Sequence, residues 1–383
     1  MRHAAFANCH SHVFHRALRG REVGGDTFWA WRDRMYAVAG VLDPDLLHTL
    51  ARAAYAEMRL AGIGAVGEFH YVHRAPGGAP YADRHAMADA LVDAARDVGM
   101  RICLLDTCYL RAGFDAEPGR DGLSPVQRRF SDGTADAWAE RARDLAARCA
   151  EAGAVVVGAA IHSVRAVPEA DLATVAAALP GAPLHVHVSE QPAENEACLA
   201  ATGRTPVALL ADAGVWSPRT TAVHATHLTP DDFTTLGASG ATVCLCPTTE
   251  AELADGIGPS VALRDAGVRV TLGSDSNTVI DPFVEARAVE LHERLASGRR
   301  GSWSAAALRR AATSDGYASL GFDPALAASA DAFELVPGSV RLAGATEPLW
   351  AATAADVVPP ADLDPGRVAA DLAAAVDAIW ERV

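Results

Sequence analysis

Eight short stretches of the chain are almost unbroken in valine, isoleucine, leucine, alanine and cysteine: residues 6–12, 62–71, 101–110, 154–164, 183–190, 221–227, 241–247 and 268–276. A strand with one wet face alternates apolar and polar side chains. A run that is apolar at nearly every position has no wet face, as in a parallel sheet covered on both sides. The intervening segments are rich in Ala, Arg, Glu and Leu at helical spacing, and 43–62, 84–99 and 131–153 are the clearest. Glycine stands at or beside the close of several, where a helix C-terminus favours it. Eight such units in succession predict an α/β fold of the closed (β/α)8 TIM type. No GxGxxG follows a strand, which disfavours an open dinucleotide-binding sheet.

The pattern changes near residue 320. Residues 331–357 read as short β segments separated by turns. Residues 364–383 read as an amphipathic helix, with Asp364 at its N-cap and Pro365 in its first turn. The expected organisation is a barrel domain over 1–320, then a small β segment and a C-terminal helix over 321–383.

Composition narrows the function class. With 33 Lys+Arg against 48 Asp+Glu, the net charge is −15, which argues against nucleic acid or an anionic membrane as partner. No charge-free apolar run reaches the ~18 residues of a membrane span. The opening MRHAAFANCHSH lacks the apolar core of a secretory leader, so a cytoplasmic location is expected. Seven cysteines are scattered without a CxxC pair, several in strand-like runs. They read as small hydrophobes in a reducing compartment. Cys244 and Cys246 have the spacing of one face of a buried strand rather than of a metal pair.

Chemistry enters with histidine. Nine of the 14 histidines fall at or just past strand ends: His10, His12, His70, His73, His162, His185, His187, His224 and His227. In a (β/α)8 barrel that rim is the active-site face. His10 and His12 can both reach one ion, because alternate residues of a strand point the same way. His187 ends the fifth strand with Glu190 three residues on, His224 ends the sixth, and Asp275 ends the eighth. Imidazoles with a carboxylate suit zinc and leave a position open for water. Taken singly, Glu190 or Asp275 also reads as a helix N-cap or strand-end carboxylate. Arg165, just past the fourth strand, is placed for bidentate capture of a carboxylate; a surface salt bridge is the plainer alternative.

HxH at strand one, His at strands five and six and Asp at strand eight resemble the amidohydrolase superfamily. The HxxE after strand five resembles its cytosine/guanine-deaminase-like branch. Further blocks are NCHSHVFHRALRGR (8–21), FWAWRDRMY (28–36), GEFHYVHR (67–74), HSVRAV (162–167), HVHVSEQ (185–191), HATHL (224–228), LCPTTEAELADGIG (245–258) and GSDS (273–276). Together, over residues 5–320, they resemble the formimidoylglutamate deiminase family. The resemblance implies zinc-dependent hydrolysis of N-formimino-L-glutamate to N-formyl-L-glutamate and ammonia in histidine breakdown. It implies His10, His12, His187 and Asp275 as metal ligands and Glu190, His224 and Asp275 as catalytic groups. In that scheme Asp275 takes a proton from zinc-activated water, His224 steadies the tetrahedral centre and Glu190 protonates the departing nitrogen.

The implied substrate contacts are Tyr71, His162, Arg165, an arginine that is either Arg32 or Arg34 with Arg32 the better match, and His15, which stands where the family often has Gln. Asn277 follows GSDS where His is common. His10 stands almost at the start of the sequence, so either the start is misplaced or the family's small β-sandwich is incomplete. The expected partner is a small dicarboxylate, and a homodimer stays open. Another divalent metal would suit the same ligands. Two other readings stand beside this one: a different amidohydrolase deaminase of aminopurine or pterin type, and a non-catalytic metal-binding relative.

Overall fold

The computed structural model describes residues 2–21, 28–115 and 122–383. After a two-residue strand β1 (Arg2–His3) come eight strands, one in each apolar run: β2 (Phe6–Ser11), β3 (Ile63–His70), β4 (Arg101–Cys108), β5 (Val155–Ile161), β6 (Leu184–Val188), β7 (Thr220–His224), β8 (Thr242–Leu245) and β9 (Arg269–Leu272). They pair in parallel and in sequence order from β2 to β9. The ring closes just beyond β9, where a parallel bridge joins Ser11 to Asp275. There the Asp275 N–H donates to the His10 carbonyl and the His12 N–H to the Asp275 carbonyl, both at 2.9 Å. Nearly every strand residue is buried, which accounts for runs without alternation.

The helices are bounded by the residues that set them. Asp43 caps Pro44–Leu60 by accepting from Leu46 N at 2.8 Å, and Thr134 caps Ala135–Cys149 in the same way. Gly203, Gly240 and Gly298 end their helices in the left-handed conformation, the positive φ that glycine adopts without penalty. All seven cysteines are buried and unpaired. No helix among the described residues is long and apolar enough to cross a membrane.

The C-terminal region departs in part from the expected strands. Phe333–Glu334 (β10) pairs antiparallel with β1, and a lone bridge joins Leu335 to Val357. The stretch between them forms three short 3-10 turns instead. Pro337, Gly338, Gly344 and Pro348 interrupt it before any ladder can extend. The buried Asp356 carboxylate then gathers it, accepting from Thr353 N, Ser339 Oγ and Arg341 Nε.

The closing helix Pro365–Trp380 begins at Asp364, which accepts from Arg367 N at 2.7 Å. It packs on Pro44–Leu60 through Val368, Leu372, Ala375 and Ile379. Trp380 Nε1 donates to the Ala17 carbonyl at 2.8 Å, in the turn that follows His12. The C-terminus thereby braces the first loop of the barrel's functional rim.

Candidate active site

His10 lies on β2 and His12 one residue beyond it, so the strand's two-residue period turns both rings inward. His187 lies on β6, and Asp275 follows β9. The four side chains meet. His10 Nε2 is 3.0 Å from His187 Nε2, and His12 Nε2 is 3.3 Å from it. Asp275 Oδ1 is 3.4 Å from His10 Nε2 and 3.5 Å from His12 Nε2.

Hydrogen bonding decides which tautomers these rings hold. His12 Nδ1 donates to the Phe69 carbonyl at 3.0 Å, and His187 Nδ1 donates to the His162 carbonyl at 2.9 Å. Each ring's proton is thus on the far nitrogen, and two Nε2 lone pairs are left facing each other. Such a contact repels unless a cation lies between them. Two nitrogens each about 2.1 Å from one tetrahedral ion stand about 3.4 Å apart, so the spacing fits a shared coordination sphere.

Electrostatics agrees with that fit. Burial lowers the pKa of His10 to about 4 and of His12 to about 3, and drives His187 well down, so all three rings are neutral donors. Burial alone would raise the Asp275 pKa. The hydrogen bond to His10 and the nearby imidazoles outweigh it and hold the carboxyl below its usual range. A neutral N3 set with one carboxylate suits zinc or a similar divalent ion.

The backbone at this rim is unusual. Ser189, His224, Ala225, Asp275 and Asn277 all have φ between +47° and +69° without being glycine, a cost of about 1–3 kcal/mol each that persists where the surroundings enforce it. Asn277 shows how. Its amide donates to Ser11 Oγ, the His12 carbonyl and the Asp275 carbonyl, and its oxygen accepts from Ser274 Oγ. It is fully buried and joins the two strand ends that carry His10, His12 and Asp275.

Glu190 and His224 stand beside the cluster. His224 Nε2 is 3.8 Å from Glu190 Oε1 and 3.9 Å from Asp275 Oδ2. Burial raises the Glu190 pKa against the opposing pull of His224. For His224, burial would lower the pKa, but Glu190, Glu250 and Asp275 together raise it well above the ordinary value. Those carboxylates favour the protonated imidazole, which is able to contact developing negative charge.

The expected substrate contacts line one side of this centre. His15 Nε2 and Tyr71 Oη lie 3.1 Å apart, and Tyr71 also reaches Met35 Sδ. The His15 ring packs 4.7 Å from His12 and 5.3 Å from Trp31. His162 packs on Tyr109 at 4.7 Å and on Tyr71 at 5.4 Å. Arg32 lies over the Tyr36 ring at 5.5 Å, and Gln127 binds the hydroxyls of both Tyr36 and Tyr109. Arg32 is thus tied through this wall to His162. The half-buried Arg165 has Glu194, Tyr109 and Glu190 near enough to raise its pKa against burial. Its guanidinium forms no hydrogen bond or ion pair with any described residue.

Other rim histidines go elsewhere. His70 packs on His73, whose Nε2 donates to the Thr107 carbonyl, and His227 Nε2 donates to the Asp255 carbonyl. His185 is wholly buried, with its pKa lowered to about 4 by burial. Cys246 lies near His224 and Glu250, but burial drives its pKa well up, so it stays a thiol and a poor ligand. Two residues of the site escaped the sequence reading: Asn277 as the tie between strand ends, and Glu250 behind His224. The latter had the same signal as Glu190, an acid a few positions past a buried strand.

A parallel barrel whose strand ends assemble three imidazoles, a carboxylate and an acid–histidine pair defines a class, and this chain belongs to the amidohydrolase family, which matches residues 3–326. Within it, the chain is 39% identical over 298 residues to the formimidoylglutamate deiminase of Pseudomonas aeruginosa, covering 76% of this chain and 64% of that protein. It is 31% identical over 324 residues to a 5-methylthioadenosine/S-adenosylhomocysteine deaminase of Halobacterium salinarum, covering 82% and 68% of the two chains. An amidohydrolase structure from Brucella melitensis superposes with a TM-score of 0.87 at 30% identity, over 98% of this chain and 89% of that one. An adenosine deaminase from Xanthomonas campestris with bound zinc shares the fold, with a TM-score of 0.83 at 22% identity, over 99% of this chain and 85% of that one.

Proposed function

We propose that this chain is a zinc-dependent deiminase that hydrolyses N-formimino-L-glutamate to N-formyl-L-glutamate and ammonia. The observation that carries the reading is Arg165: a half-buried guanidinium that no anion among the described residues is bonded to, beside a centre suited to activating water. A substrate ending in carboxylates supplies the missing partner, through charge-assisted and bidentate bonds. Arg32, on the same wall, would meet a second carboxylate. The likeness to the Pseudomonas aeruginosa deiminase points the same way.

His10, His12, His187 and Asp275 would hold the ion. When bound, it would lower the pKa of a water molecule toward neutrality. Asp275, kept ionised by its neighbours, would accept the proton as the water oxygen adds to the formimino carbon. His224 would contact the charge that develops on the tetrahedral carbon's substituents. Glu190, whose raised pKa favours carrying a proton, would deliver it to the nitrogen, which leaves as ammonia when its bond to carbon breaks. Water's oxygen stays on carbon as the formyl group, and its two hydrogens leave with nitrogen or complete the product amide.

The test is ammonia release from N-formimino-L-glutamate beside N-formimino-L-aspartate, 5′-methylthioadenosine and 8-oxoguanine. Preferred turnover of the glutamate derivative supports the reading. Turnover of a purine alone would replace it with a nucleobase or nucleoside deaminase, and no turnover by the metal-loaded protein would leave a binding role.

A further inference from the structure

We infer that Glu250 is a positioning residue that fixes the orientation and tautomer of His224 from behind. The inference rests on the reading of His224 as the group that contacts the reacting centre.

Glu250 lies in the first turn of a short helix, Pro247–Glu252, just beyond β8, and only 2% of its surface is exposed. Its Oε1 accepts from Cys246 N at 2.8 Å, which anchors the carboxylate to the strand end. The same oxygen faces His224 Nδ1 at 3.4 Å. The opposite ring nitrogen faces Glu190 and Asp275. One imidazole therefore stands between a carboxylate outside the reacting space and two carboxylates at its edge.

This is the arrangement by which a buried carboxylate settles a histidine's tautomer and aim elsewhere in catalysis. With Nδ1–H directed at Glu250, His224 can turn only its Nε2 toward substrate. The need for such a brace is visible in the backbone. His224 and Ala225 both hold positive φ, so the chain turns sharply at the histidine, a conformation that persists only where its surroundings hold it.

The plainer reading is that Glu250 merely caps its helix through Cys246 N. Glu250→Gln separates the two, because glutamine keeps an oxygen for Cys246 N and removes only the charge facing His224. The expected result is a kcat about 10- to 100-fold lower, with KM, melting temperature and bound metal unchanged. Glu250→Asp, which keeps the charge, should recover part of the loss. In a His224→Asn background, adding Glu250→Gln should cost less than about twofold, since partners acting through one group are not additive. Equal losses in both backgrounds, or full activity of Glu250→Gln, would overturn the inference. Long-range 15N–1H spectra of the imidazoles give a readout independent of the substrate. His224 Nδ1 should carry its proton in the native protein and its shifts should change in Glu250→Gln; unchanged shifts would also overturn it. Absence of turnover by the native protein on N-formimino-L-glutamate counts against the proposed substrate, while the spectra still decide for or against Glu250.

Discussion

His12 and His187 point their Nε2 atoms at each other across 3.3 Å while main-chain carbonyls hold both Nδ1 protons. Neutral rings so arranged repel. The protein keeps them together with the Phe69 and His162 carbonyls on neighbouring strands, and the gap is ready for a cation.

Metal removal is the direct check. Chelation should lower the melting temperature, and zinc should restore it in a concentration-dependent way, because an ion that binds only the folded state stabilises it by mass action, by about 2.7 kcal/mol at a hundredfold excess over Kd. His187→Ala should copurify with far less than one equivalent of metal and show no zinc-dependent stabilisation. A melting curve indifferent to zinc in the native protein would refute the ligand set.

Arg165 should govern substrate affinity rather than the chemical step. Replacing it with Met removes a charge-assisted contact of about 1.5–3 kcal/mol, which corresponds to a rise in KM for N-formimino-L-glutamate of roughly 10- to 150-fold. Bound metal should be unaffected. Arg165→Lys should restore only part of the loss, since an ammonium cannot reproduce the planar fork. Steady-state kinetics on both variants are the check, and an unchanged KM would remove Arg165 from the substrate site.

Much of this was legible from the order of residues, and the physical reasons are specific. The eight barrel strands announce themselves because burial on both faces forces every position to be apolar, as in Leu104, Leu105 and Val157. His10 and His12 are readable because a strand's period is two. The turns of 340–356 were not readable, because their organiser is a single carboxylate, Asp356, that gathers groups from Ser339 to Thr353. Asn277 was read for its departure from a family pattern, whereas its partners Ser11 and His12 come from the opposite end of the chain. Contacts of that range leave no local trace in a sequence.

Glu68 makes stability depend on pH in a defined direction. Burial raises its pKa from an ordinary 4.5 to about 8, against the hydrogen bond from Val13 N. The folded protein therefore keeps it protonated at pH values where the unfolded chain has ionised it. Its contribution is fully present below about pH 4.5 and is lost as pH rises through about 8. Glu68→Gln keeps an acceptor for Val13 N and cannot ionise. Unfolding free energies of the two proteins should agree near pH 4.5 and diverge in favour of the variant up to about pH 8, by an amount on the order of a few kcal/mol. Parallel curves across that window would show that Glu68 does not titrate this way.

Gly273 tests whether the closure of the barrel sets the metal site. It follows β9 and lies against His10 so closely that an added Cβ would sit 2.7 Å from His10 Cβ and 2.8 Å from the His10 carbonyl oxygen. That same carbonyl accepts from Asp275 N. An alanine here cannot be absorbed by a side-chain rotation, because the obstacle is backbone. The end of β2 must move away from the segment carrying Asp275, separating His10 and His12 from their carboxylate. Overpacking of this kind costs about 1–3 kcal/mol, which should appear as a melting temperature lower by several degrees. Zinc affinity should fall with it, since the ligands sit on the two displaced segments. Gly153→Ala is the control: its added Cβ would meet nothing within 4 Å, so stability and zinc binding should match the native protein. If Gly273→Ala binds zinc as tightly as the native chain while losing the same stability, ligand convergence does not depend on the seam between β2 and β9, and the account of how the fold builds the site would have to be withdrawn.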